Sequence, residues 1–258
     1  MMMKLSKKAL ILALICMVCC IAACSTHKTK NDPYKGMSAE EIYTKGRKAA
    51  QAKKYSVAIK DFEELEARYP YGQYTDKAQL ALIYAYYKQG NSASSLAIAD
   101  RFIRVHPRHQ YVDYAYYMKG FVNYHENFST VYRYFPIERS KRDPALAQQS
   151  FDDFKVLVQR FPNSEYSRDA IQRMIHLRNQ LAQYELYMAD YYMSQKAYLA
   201  AANRAGYIIN NFDQSEVIPD ALVVLVKAYR AMGMQELAND ALATLQRNFP
   251  EVATKAKL

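Results

Sequence analysis

The residue with the clearest chemistry is Cys24, which ends the run Ile21-Ala22-Ala23-Cys24. An aliphatic residue and two small residues before a cysteine form a lipobox, the motif cut by lipoprotein signal peptidase, and the cysteine thiol then receives diacylglycerol. Lys4, Lys7 and Lys8 precede this run, and residues 9–23 carry no charge. These fifteen residues are fewer than the ~20 that a membrane-spanning helix needs, as in a cleaved secretory signal. The sequence therefore predicts removal of residues 1–23 and lipidation of Cys24.

The residue after the cysteine and the remaining thiols bear on the compartment. Ser25 stands where an aspartate would be the inner-membrane retention signal, which favours the periplasmic face of the outer membrane. Cys16, Cys19 and Cys20 all lie in the predicted signal peptide. The mature chain therefore has no cysteine except the lipidated one, which excludes a disulfide scaffold and a cysteine-ligated metal.

Residues suited to catalysis do not form a recognisable pattern. His106 and His109 lie close together at a repeat junction with no acidic partner nearby, so we interpret them as capping or surface residues. Adjacent acidic residues, which point to different faces of a helix, occur at Glu40-Glu41, Glu63-Glu64 and Asp152-Asp153. The chain contains no H-E-x-x-H, G-x-S-x-G or glycine-rich phosphate motif. We therefore expect a protein that is not an enzyme and that has no metal or cofactor besides the lipid on Cys24.

The charge distribution argues against nucleic acid as a partner. The chain has 35 basic and 25 acidic residues, a formal charge of +10. Cleavage before Cys24 leaves 32 basic and 25 acidic residues, about +7. These charges do not cluster into a long run of one sign, as a nucleic-acid footprint would require.

The elements that must position any functional residue are helices in a repeat. An aromatic residue or histidine followed by proline recurs with steps of 37, 55, 51 and 37 residues, with Phe212-Asp213 as a degenerate member. The other four members are Tyr69-Pro70, His106-Pro107, Phe161-Pro162 and Phe249-Pro250. A period near 37 with two longer steps predicts five units, two of which carry insertions.

Each unit is predicted to be a pair of helices. Gly46, Tyr55, Ala58, Phe62 and Pro70 have the spacing of the tetratricopeptide (TPR) consensus, in which small residues let paired helices approach and proline ends the second helix. The predicted fold class is all-α, a TPR-type solenoid of five repeats with insertions in repeats 3 and 4.

The predicted organisation follows from these repeats. After the signal peptide, residues 1–23, we expect a lipidated cysteine and flexible tether at 24–37, and repeats 1 and 2 at 38–125. An insertion follows at 126–144, then repeats 3 to 5 at 145–250 and a tail at 251–258. Residues 168–195 contain no glycine or proline, which predicts one helix about 42 Å long.

The absence of catalytic motifs leaves the surface of the solenoid as the functional element. Stacked helix pairs form a concave groove that commonly binds peptides. Tyr43, Tyr84 and Tyr87 are candidates for this groove, because tyrosine offers apolar area and a hydrogen bond at low entropic cost. The alternative, that each of these tyrosines packs in the core, remains open from the sequence alone.

Several longer runs of residues form a further pattern: Arg68-Tyr69-Pro70-Tyr71-Gly72, Leu82 to Lys88, Asp100 to Arg104, Arg139 to Pro144, Phe161 to Tyr166 and Asn203-Arg204. These runs resemble one family, the BamD (ComL) lipoproteins of the outer membrane. They occur in the family's order, and the resemblance extends from the lipobox to about Pro250.

The resemblance implies a non-catalytic component of the β-barrel assembly (BAM) complex. Its partners would be the last POTRA domain of BamA, accessory lipoproteins such as BamC and BamE, and unfolded outer-membrane proteins that the amino-terminal repeats receive. Arg204 matches the family's arginine that forms an ion pair with BamA. The alternative is a TPR lipoprotein that tethers the outer membrane to peptidoglycan or to the Tol-Pal system.

Overall fold

A computed structural model describes residues 32–127 and 143–257, in which eleven helices follow one another. Cys24 and most of the predicted insertion lie outside these ranges. From Ala39 onward the helices form five consecutive pairs and one terminal helix. The pairs are α1 (Ala39–Gln51) with α2 (Tyr55–Arg68), α3 (Gln73–Gln89) with α4 (Ser92–Val105), α5 (Val112–Asn127) with α6 (Ala145–Arg160), α7 (Ser167–Ser194) with α8 (Tyr198–Asn211), and α9 (Ile218–Ala231) with α10 (Gln235–Asn248). Each helix packs mainly on its neighbours in the sequence, which confirms the predicted solenoid.

The recurring aromatic–proline pairs end the second helix of a pair, as predicted. Tyr69, His106 and Phe161 are the C-cap residues of α2, α4 and α6, and each precedes a proline. Proline has no N–H and its ring clashes with the preceding turn, so the helix cannot continue through it. Phe212, the degenerate member, caps α8 in the same way without a proline.

The glycines of the first and third pairs allow two helices to touch. A Cβ added to Gly46 would lie 2.7 Å from the Phe62 ring, and one added to Gly120 would lie 2.6 Å from the Phe154 ring. Both phenylalanine side chains are fully buried. The close approach predicted for Gly46 and Phe62 is therefore present, and it recurs two pairs further along, in the third pair.

Two boundaries differ from the prediction. The first two repeats are predicted to end at residue 125. Helix α5 packs chiefly on α6, so the third pair begins at Val112, and the predicted insertion falls between its two helices in the sequence. The predicted tail begins with a short helix, α11 (Pro250–Lys255), which packs on α9 and α10. Within the predicted tether, residues 32–37 form hydrogen-bonded turns around Gly36, whose φ is +79°.

The long helix α7 confirms the prediction for residues 168–195. Its 28 residues contact α6 of the third pair and α8 of its own pair. Of the helices described, none is long and apolar enough to cross a membrane.

Candidate functional site

Helices α2, α3 and α5 of the first three pairs carry a row of aromatic side chains in mutual contact. We call Tyr55, Tyr84, Tyr87, Phe121 and His125 the aromatic strip. Successive ring centroids along it are 6.4, 6.2, 5.3 and 4.3 Å apart. The strip therefore crosses the first three pairs without a break.

The strip combines exposed apolar area with polar atoms. The Tyr84 side chain is 41 % exposed. The neighbouring Tyr87 is more buried, and this burial raises the pKa of its hydroxyl. The Nε2 atom of His125 is buried and has no hydrogen-bond partner among the residues that the structure describes. Burial, reinforced by the charge of Arg173, lowers the pKa of His125, so this imidazole is neutral at pH 7.

Two cations lie over the strip. The Lys88 ammonium is 5.9 Å from the Tyr84 ring centroid and 6.0 Å from that of Tyr87. The Arg173 guanidinium of α7 lies 4.9 Å from the Phe121 ring centroid and 4.7 Å from that of Tyr124. Cations at these distances are attracted to the faces of aromatic rings. The surface therefore suits a ligand with apolar groups and negative charge.

Arg173 is fixed by a carboxylate and a phenol. It donates two hydrogen bonds to Asp169, at 2.6 and 3.3 Å, and the Tyr117 hydroxyl donates to the same carboxylate at 2.7 Å. Burial alone would raise the pKa of Asp169, but the hydrogen bonds from Arg173 and Tyr117 outweigh it and lower that pKa. The cation thus has a defined position over the aromatic rings.

The three predicted groove tyrosines do not form one cluster. Tyr84 and Tyr87 are neighbours in the aromatic strip. Tyr43 instead contacts Phe62, at 5.9 Å, and Tyr74, at 5.8 Å, and among the residues described it makes no ring contact with the strip. Phe121, His125 and Arg173 were not predicted, because they come from pairs 3 and 4 and meet the tyrosines only in the stacked solenoid.

Arg204, the predicted docking residue, already has a partner within the chain. Its Nη1 atom donates to Oε2 of Glu185 at 2.8 Å, and this hydrogen bond raises the pKa of the arginine. The Arg204 side chain is 41 % exposed, whereas that of Glu185 is 13 % exposed. Glu185 also lines a cavity of about 270 Å³ together with Pro144, Leu181, Tyr184 and Phe212. The arginine is thus positioned beside a partly apolar depression.

The expectation that His106 and His109 have no acidic partner was wrong. The Nε2 atoms of His106 and His109 lie 3.7 and 3.9 Å from the two carboxylate oxygens of Asp76. Nδ1 of His109 accepts a hydrogen bond from the Tyr111 backbone N–H at 3.2 Å. In the part of the chain that the structure describes, no group of histidine and acidic side chains could hold a metal ion.

Comparison with known proteins adds to this geometry. Residues 35–245 match a family described as YfiO, outer membrane lipoprotein. The chain is 36% identical over 234 residues to the outer membrane protein assembly factor BamD of Neisseria meningitidis serogroup A, covering 90% of this chain and 88% of that protein. It is likewise 36% identical to the BamD of Vibrio cholerae over 208 residues, or 81% of this chain and 86% of that one. Among solved structures, it is similar to a TPR protein of Thermus thermophilus at 15% identity and a TM-score of 0.37, covering 85% of this chain and 97% of that one.

Proposed function

Because this chain belongs to the YfiO family of outer-membrane lipoproteins, we propose that it is a non-catalytic assembly factor for outer-membrane proteins, a member of the BAM complex. The observation that carries this proposal is the match over residues 35–245, which spans all five helix pairs. The lipid on Cys24 would hold the solenoid at the periplasmic face of the outer membrane.

We assign the client-binding role to the aromatic strip and its cations. Unfolded barrel proteins present aromatic and apolar side chains, and exposed Tyr84 offers such groups a face to pack on. Lys88 and Arg173 would attract a carboxylate of the client. Accessory lipoproteins such as BamC and BamE are further candidate partners in the complex.

We assign BamA docking to Arg204 and the depression beside it. A guanidinium has five N–H donors, and its hydrogen bonds with Glu185 and Tyr192 leave others available. The remaining donors can hold a carboxylate of the last POTRA domain while Glu185 keeps the side chain in place.

Crosslinking in native membranes followed by identification of the co-isolated proteins tests the general proposal. We expect a BamA-like barrel protein among them. Recovery of peptidoglycan enzymes or Tol proteins without such a barrel would refute it and favour the tethering alternative.

A charge swap tests the docking site. In Arg204→Glu two carboxylates face each other, so both partner binding and local stability fall. The double variant Arg204→Glu/Glu185→Arg restores the internal ion pair but moves the cation to the buried side. We expect it to regain thermal stability while binding of the isolated POTRA domain stays weakened tenfold or more, the scale of a lost charged hydrogen bond. Full recovery of binding would show that Arg204 is only structural.

Tyrosine truncation tests the aromatic strip. Replacing Tyr84 and Tyr87 with alanine removes two aromatic contact faces, and a central aromatic residue typically contributes more than 1 kcal/mol to an interface. We expect binding of an aromatic-ended peptide from a barrel protein to fall about tenfold or more. Tyr191→Ala, at an exposed tyrosine (49 %) on α7 outside the strip, is the control for a single tyrosine truncation. Equal loss in the control would refute the assignment.

A further inference from the structure

One edge of the solenoid gathers the turns that join successive pairs. The Tyr74 ring, at the start of α3, lies 5.8 Å from the Tyr43 ring, near the start of α1. Asp76, also at the start of α3, lies against His106 and His109 of the turn between α4 and α5. These contacts place the first turn, residues 69–73, beside the amino end of α1, and the second turn, residues 105–111, beside the start of α3. We call these two turns the amino-terminal loop edge.

This edge exposes apolar side chains that no other described residue covers. Tyr71 is 90 % exposed, Val105 is 63 % exposed and Tyr111 is 48 % exposed. Isolated exposed apolar residues are ordinary, but here three of them lie on two neighbouring turns. Tyrosine is also a residue that favours the boundary between water and lipid headgroups, because it has an apolar ring and a polar tip.

Exposed cations lie beside these residues, whereas the carboxylates nearby are engaged: Asp76 faces His106 and His109, and Glu40 accepts a hydrogen bond from the Tyr74 hydroxyl. Lys77, Arg104 and Arg108 are exposed, and none of them forms an ion pair among the residues described. The turn between α8 and α9, at the other end of the same edge, instead exposes Asp213 and Glu216. An anionic surface would therefore attract the first two turns and repel the fourth.

The attachment of the chain also favours this edge. Helix α1 begins at Ala39, fifteen residues after Cys24. A segment of that length reaches at most about 50 Å, so lipidation would keep the amino end of α1 within that distance of the bilayer.

We propose that the amino-terminal loop edge lies on the membrane surface and binds the headgroups of anionic phospholipids. Tyr71 and Tyr111 enter the headgroup region, and Arg104 and Arg108 pair with lipid phosphates. This second contact orients the solenoid on its anchor. It depends on lipidation of Cys24 and does not depend on the assembly role.

Spin labels on the lipidated protein test the proposal. The lipid blocks the thiol of Cys24, so an introduced cysteine is the single labelling site. Labels at Gln73→Cys and Gln110→Cys lie on the edge, and a label at Ala52→Cys, in the turn within the first pair, is the control. On vesicles of phosphatidylethanolamine and phosphatidylglycerol, we expect the edge labels to be accessible to oxygen and shielded from a water-soluble nickel complex, unlike the control.

Charge reversal tests the recognition chemistry. Each cation near an anionic bilayer strengthens binding by about fivefold, so Arg104→Glu/Arg108→Glu should reduce the contacting population by about 25-fold or more. Lys54→Glu/Lys60→Glu makes the same charge change away from this edge and should alter it less than twofold. Circular dichroism checks that both variants are folded.

Three results would overturn the proposal. The first is that, on the anionic vesicles, the labels on the edge are as accessible to the water-soluble nickel complex as the label at position 52. The second is contact that persists on pure phosphatidylcholine or survives the edge charge reversal. The third is shielding of the labels only after a BAM protein is added, which would assign the edge to a protein partner.

Discussion

The packing of Gly46 against Phe62 allows a quantitative prediction for Gly46→Ala. The new Cβ would lie 2.7, 2.9 and 3.1 Å from three atoms of the Phe62 ring, distances at which something must move. The ring is 1 % exposed and has little room to shift. Overpacking of this kind costs about 1–3 kcal/mol.

Gly46→Ala also changes the helix propensity of the residue, and the same substitution at a second glycine measures this effect separately. Alanine is more favourable than glycine in a helix interior by about 0.5–1 kcal/mol. Gly206 lies within α8 with no heavy atom near its missing Cβ, so Gly206→Ala should stabilise the protein by this amount. Subtracting the two results cancels the propensity and leaves the steric cost at Gly46, about 1–3 kcal/mol.

Urea unfolding of the mature domain, followed by circular dichroism, measures both variants. The midpoint should fall for Gly46→Ala and rise for Gly206→Ala. A double-mutant cycle with Phe62→Leu should show that alanine at position 46 costs less when the ring is absent. Equal shifts of the two glycine variants in the same direction, or a cycle without coupling, would refute the steric reasoning.

Three further predictions concern charge and anchoring. Lys119 lies 3.4 Å from nearly buried Asp153, so Lys119→Met should destabilise the protein by about 3 kcal/mol, whereas exposed Lys155→Met should change the melting temperature little. Because the pKa of His125 is lowered in the folded protein, the unfolded chain binds a proton at this site more readily as the pH falls below 6.5, and folding stability is lost. The Tm of His125→Phe should therefore decrease less between pH 7 and pH 5.5 than the Tm of the unaltered protein. Cys24→Ala should release the protein from isolated outer membranes, and normal retention would mean that partner docking alone suffices.

The sequence was sufficient for features that depend on local chemistry. A proline after an aromatic residue ends a helix wherever it occurs, so the ends of α2, α4 and α6 were predictable. The 28-residue helix α7 was predictable because nothing between residues 168 and 195 breaks a helix. These predictions needed no knowledge of which helices are neighbours.

Features that depend on the stacking of pairs were not predictable. Asp76 lies thirty residues before His106 in the sequence, and the two meet only because the start of α3 lies beside the turn after α4. In the same way, Glu185 and Arg204 belong to two helices whose relative register the sequence does not give. The family resemblance suggested the arginine and residue type suggested the tyrosines, but neither gave their partners.

Helix α7 joins the two proposed binding surfaces. It carries Arg173, which lies over the aromatic strip, and Glu185, which holds Arg204. The two positions are twelve residues apart, about 18 Å along the helix axis. Most contacts in a solenoid couple only neighbouring repeats, so distant sites are ordinarily connected through several interfaces. Here one unbroken helix fixes the distance between them, and a BamA domain docked at Arg204 would lie at a constant distance from a client bound at the strip.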